Sequence, residues 1–165
     1  MFCVCGVSHS PTGGAFGFFF NDTATTEMLG VVVTGEIWLR VPQTIFMHWG
    51  GTLADGVSAK DMLLAMLGRH GMNGGRYQAV EFCGDAVAAL SMAERMTLCN
   101  MSAELGAQVG LVAPDATTRD WLARHGAPGV ETGPWHSDAG APGTRHPFDA
   151  STLAPQVALP HSPAQ

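Results

Sequence analysis

Charge is scarce in this chain. Charged residues make up 13% of its 165 positions, against about a quarter in an ordinary soluble domain. Basic residues are scarcer than acidic ones, 8 against 14, and the net charge is −6. That balance excludes the basic footprint of a nucleic-acid binder. No run of like charges forms an interaction tail. No apolar stretch reaches the roughly 20 residues that a membrane-crossing helix needs. The opening "MFCVCGVSHS" lacks the basic start of a secretory signal, so the expected compartment is the cytoplasm. The four cysteines, Cys3, Cys5, Cys83 and Cys99, match neither a zinc ribbon nor a C-x-x-C redox pair. They read as buried, reduced thiols acting as small hydrophobes. The glycines fit no phosphate-loop spacing.

Well-punctuated elements are present. "GEIWLRVP" (35–42) reads as a strand stopped by proline, and "QTIFMHWGGTL" (43–53) as a strand ending in a Gly-Gly turn. Ser58, three before Asp61, is a capping-box signature ahead of Met62, Leu63, Met66 and Leu67 at helical spacing. Gly68 and Gly71 are its natural stops. "YQAVEFCG" (77–84) reads as a strand. Ser91 with Glu94 opens a second helix, "VGLVAPDA" (109–116) is a short buried strand, and Thr117 with Asp120 predicts a third capping box. Strands alternating with helices predict an α/β layered domain. Residues 127–165 are loop-rich, with one strand-like island, "FDASTLAPQVALP" (148–160).

Two stretches carry candidate chemistry. In "CNMSAELGA" (99–107), Asn100 and Glu104 are four apart and would share a helix face. Asn100 can orient a ligand. Glu104 has small apolar neighbours, and desolvation there would suit a proton-handling group. In "CGVSHSPTGGAFG" (5–17) an apolar strand runs into a loop carrying His9, a place where α/β folds position ligand contacts. His48, His70, His125, His136, His146 and His161 are weaker signals. Helix C-termini account for His70 and His125 without catalysis. Arg76 and Arg145 are candidates for meeting carboxylates.

In order, "CGVSHSPTGGAFG", "TGEIWLRVPQTI", "GVSAKDM", "CNMSAELGA", "VAPDATT" and "FDASTLAPQVALPHSP" resemble large subunits of the aconitase family, most of all those of 3-isopropylmalate dehydratase. Homoaconitase and dimethylmalate dehydratase large subunits stay open as alternatives. The resemblance covers nearly the whole chain except residues 18–27. It implies a fragment of the three-layer α/β/α catalytic domains and a hydro-lyase that moves a hydroxyl between neighbouring carbons, acting in leucine biosynthesis with a separate small subunit. The substrate would be a small hydroxy-carboxylate. The resemblance also implies a [4Fe-4S] cluster with one iron open to substrate as a Lewis acid. By position, His9 and Glu104 take the catalytic roles, and Ser8 and Asn100 the substrate contacts.

The chain departs from the family's pattern in two ways. Val7 stands where the family has aspartate, which removes a carboxylate that would favour a charged His9. The family's cluster cysteines fall beyond the last residue of this sequence, so the chain as given lacks those ligands, and none of its own residues is assigned to metal. Alone it is expected to be inactive and poorly soluble, with a carboxylate-binding remnant as the alternative. The segment "FFFNDTATTE" (18–27) is foreign to the resemblance, and Asn21–Glu27 is what a common sequencing-library adapter would encode. It is expected to be an assembly artefact.

Overall fold

The computed structural model describes residues 2–5, 10–17, 19–22, 33–36, 41–133 and 135–165. Its centre is a four-stranded, wholly parallel sheet in the order β5-β4-β3-β6. The strands are β3 (Thr44–Gly50), β4 (Ala79–Cys83), β5 (Val109–Val112) and β6 (Gly143–Asp149). Two short strands, β1 (Phe2–Cys5) and β2 (Phe19–Asp22), form a separate parallel pair. Helices α1 (Ala59–His70), α2 (Asp85–Ala89), α3 (Met92–Asn100) and α4 (Ala116–Arg124) fill the crossovers of the larger sheet. Parallel neighbours need such crossovers, because a tight hairpin cannot reverse the chain twice. The mixed α/β architecture expected from the alternation is present.

The strands drive their own burial. Ile45, Phe46, Met47 and Trp49 are all buried, and Val80 and Phe82 on β4 with them. Near-continuous apolar runs of this kind belong to parallel strands covered on both faces. The α1 stripe Met62, Leu63, Met66 and Leu67 is fully buried and shares one core with Ile45, Met47, Val80 and Phe82.

The caps explain where the helices start. At α1, the Asp61 carboxylate accepts from the amide and hydroxyl of Ser58 at 2.7 and 2.6 Å. Its other oxygen accepts from the Gln156 amide at 2.6 Å and so ties down the C-terminal segment. Burial raises the Asp61 pKa, but these hydrogen bonds outweigh it and hold the carboxyl below its usual value. The helix runs through Gly68 and ends at Gly71, whose φ of 73° suits glycine. At α3, Ser91 and Glu94 form the expected reciprocal cap.

Two expectations need correction. The cap of α4 is Asp115, not Thr117. Its carboxylate accepts from the Thr118 amide at 3.2 Å, so the helix begins at Ala116 and Thr117 lies inside its first turn. The same carboxylate meets Arg95, which is fully buried on α3, at 2.8 and 2.7 Å. Carbonyls of Leu90 and Ala88 take the remaining guanidinium contacts. The second correction concerns the strand in the loop-rich region. It is Gly143–Asp149 and overlaps the expected island only at Phe148 and Asp149. Residues 150–152 turn as a 3-10 helix. β6 is an edge strand, where Pro147 is tolerated because its missing N–H breaks no central ladder. Of the strand expected over 35–42, residues 37–40 lie outside the described residues, and 35, 36, 41 and 42 are not in a strand.

Candidate functional site

A 3-10 turn, Ser10–Phe16, begins one residue after His9. It packs against α3 and β5. Backbone meets backbone there: a Cβ on Gly14 would collide with the Gly110 carbonyl, and one on Gly110 would come within 2.6 Å of the Ser102 hydroxyl. Only glycines allow this approach. Ala15 is fully buried in the same contact.

The approach joins two segments 88 residues apart. Thr12 Oγ1 donates to Asn100 Oδ1 at 3.0 Å. With Oδ1 engaged as acceptor, Nδ2 is the donor end of the Asn100 amide. Asn100 is half-buried and is the last residue of α3. Behind it Cys99 is fully buried.

Glu104 sits differently from the expectation. The α-helix ends at Asn100 and tightens into a 3-10 turn over Met101–Ala103, so the two residues do not lie on one regular helix face. The Ser102 hydroxyl donates to the Cys99 carbonyl at 2.7 Å and helps close that turn. Glu104 is exposed rather than desolvated among apolar neighbours. Ser8 and His9, with Val7, lie outside the described residues.

Among the described residues, Cys83 and Cys99 join no group of metal-ligating side chains. Iron–sulfur ligation needs thiolates. Burial pushes the Cys99 thiol up. Burial and then the Glu81 charge push the Cys83 thiol up, only partly offset by Arg145. Both are free cysteines. Among the described residues no three His, Cys, Asp or Glu side chains come together as a metal site.

Sequence reasoning missed two polar features. One is Thr12, whose signal was a hydroxyl inside the quoted glycine-rich loop. The other is Glu81 on β4, which accepts from the Ser137 amide at 3.2 Å and from its hydroxyl. A cavity of about 310 Å³ beside it is lined by Thr44, Leu111, Trp135 and His136. Among the described residues Arg145 forms no ion pair with a carboxylate. Its guanidinium lies 4.0 Å from the Phe46 ring centroid.

Comparison with known proteins supplies the family. The sequence profile of the aconitase family (aconitate hydratase) matches residues 1–165. The chain belongs to the aconitase family. It is 43% identical over 155 residues to a protein of Methanosarcina mazei named probable methanogen homoaconitase large subunit, covering 93% of this chain and 39% of that one. It is 40% identical over 160 residues to 3-isopropylmalate dehydratase large subunit 1 of Methanopyrus kandleri, covering 94% of this chain and 37% of that one. This aconitase-family chain therefore spans less than two-fifths of either relative's length. No helix among its described residues is long and apolar enough to cross a membrane.

Proposed function

We propose that this chain is the part of a hydro-lyase large subunit that grips the hydroxyl end of a small hydroxy-carboxylate. The Thr12–Asn100 hydrogen bond carries this reading, because it brings the segment that follows His9 onto the segment that carries Glu104. Asn100 Nδ2 donates to a substrate oxygen, with Ser8 as a second contact. His9 and Glu104 deliver the proton with which the departing hydroxyl leaves as water, and take a proton back from water when hydroxide adds to the neighbouring carbon. The base that takes the carbon-bound proton comes from another part of the assembly. The family's [4Fe-4S] cluster would polarise the departing hydroxyl. Its ligands are not supplied by Cys83 or Cys99, and no step here passes through it.

The preferred reaction is interconversion of 2-isopropylmalate and 3-isopropylmalate in leucine biosynthesis, in the cytoplasm, with a small-subunit partner. A homoaconitase large subunit is the second reading, favoured by the Methanosarcina relative. Calorimetry with isopropylmalate and with citrate on iron-free chain tests the grip. Binding that Asn100→Ala weakens about tenfold, the loss of about one hydrogen bond, supports it. Binding indifferent to Asn100→Ala and to Thr12→Val overturns it. The chain alone is expected to show no dehydratase turnover, and turnover with an iron–sulfur chromophore would refute that. Residues 18–27 are proposed to be an assembly artefact. Long-read resequencing that returns their codons unchanged would count against this.

A further inference from the structure

A second polar cavity lies at the N-terminal ends of the sheet strands. It has a volume of about 220 Å³ and is lined by His70, Asn73, Arg76, Gln78, Thr144 and His146, among others, with no acidic residue in its wall. His70 is the last residue of α1, and His146 sits on β6. Their ring centroids are 4.4 Å apart and tilted by 59°. Nε2 of His70 is buried and has no hydrogen-bond partner. An orphaned imidazole nitrogen is costly unless something fills the space in front of it.

The wall opposite is held under strain. Arg76 and Tyr77 both adopt left-handed backbone, with φ of 46° and 54°. Neither is glycine, so each is unfavourable by about 1 kcal/mol or more. The surroundings fix them in place. Gly75 N donates to Leu105 O at 2.7 Å and Tyr77 N to Gly106 O at 2.8 Å, while Gln78 N returns to Gly75 O at 2.7 Å. Gly74 lets this loop lie against His70, because a Cβ there would come within 2.6 Å of the His70 Cβ. Strain of this kind gathers at ligand clamps.

We propose that this pocket binds a small oxyanion, a carboxylate or phosphate dianion, between His70, His146 and Arg76. Three potential cations face one small space. The neighbouring charged group, Arg69, is turned to the Pro147 carbonyl at 3.0 Å and to the Phe148 ring. Burial, His146 and Arg69 all push the His70 pKa down. The α1 C-terminus favours a protonated His70, and an anion in the cavity adds to that. A metal ion fits less well, since two imidazoles beside an arginine offer too few donors and an opposing charge. The inference does not depend on the proposed hydro-lyase reading.

The test is NMR of the histidine side chains while inorganic phosphate, and separately malonate, is added to the chain at ionic strength held constant with sodium chloride. The His70 and His146 signals are expected to shift together and saturably, with the His70 titration midpoint moving upward. Arg76 is exposed, so Arg76→Gln should fold normally and weaken binding about tenfold, as loss of a charge-assisted contact does. His146→Gln should do the same. Saturation by phosphate alone identifies a phosphate site, and saturation by malonate alone identifies a carboxylate site. Equal shifts from sodium chloride, or a response unchanged by both variants, overturn the proposal.

Discussion

The two faces of the central sheet are built by different rules. On one, Ile45, Met47, Val80 and Phe82 meet the α1 stripe and close into a dry core. On the other, Phe46 pairs in register with Glu81 and Arg145, and Glu81 with Leu111. That face is roofed by the loop carrying Trp135 and Ser137 and keeps a cavity of about 310 Å³. The same strands make both faces, because successive side chains point to opposite sides. The helix-covered face uses volume. The loop-covered face uses charge, with a carboxylate 9% exposed that is matched by the amide and hydroxyl of one serine.

The difference predicts a graded response to substitution. The largest effect belongs to the dry face: Leu63→Ala should cost about 3 kcal/mol, the usual loss for a fully buried leucine, measured by urea unfolding. A loss near zero would mean that α1 does not close that face. Next is the buried charge in the helix layer. Asp115→Ala strands the Arg95 guanidinium and removes the α4 cap, and should cost about 2–3 kcal/mol. The pair is partly open to water on the aspartate side, which holds the effect below that of a sealed pair. Arg95→Met with Asp115→Ala should recover much of the loss. On the loop-covered face, Glu81→Ala should cost only about 1 kcal/mol, while loosening the 131–137 loop in hydrogen exchange. A larger cost than Leu63→Ala would reverse the comparison.

The smallest effect is acid sensitivity. Asp61 and Asp115 have folded pKa values below their usual 3.8. For Asp115, burial opposes the shift, and the Arg95 hydrogen bonds outweigh it. Their contribution is complete above 3.8 and is lost as pH falls through the folded values. His70 is depressed from 6.5, so its contribution begins to fall earlier, as pH drops below 6.5. Stability should therefore decline on acidification in two stages, and His70→Gln should remove the first.

Much of this was legible from local pattern. Ser58 and Ser91 announced their helices because a capping box is satisfied within four residues. Thr117 misled because Asp115 and Thr118 form the reciprocal pair first, two residues upstream, and Arg95 anchors it from another helix. β6 was hidden because an edge strand containing Arg145, His146 and Pro147 shows no apolar alternation. Asn100 and Glu104 were readable as residues, but their relation was not. The helix that would have put them on one face ends between them. Thr12 could not be found from spacing at all, since its partner lies 88 positions away.

The contact of Gly14 with Gly110 acts as a mechanical stop. Side chains can slide and repack, but two peptide planes touching each other have almost no give. The distance from the turn to β5 is therefore set by the thickness of backbone, and the Thr12–Asn100 gap inherits that tolerance. A single methyl at Gly14 would displace the whole turn from Ser10 to Phe16. It would detune the candidate site without altering one polar atom in it.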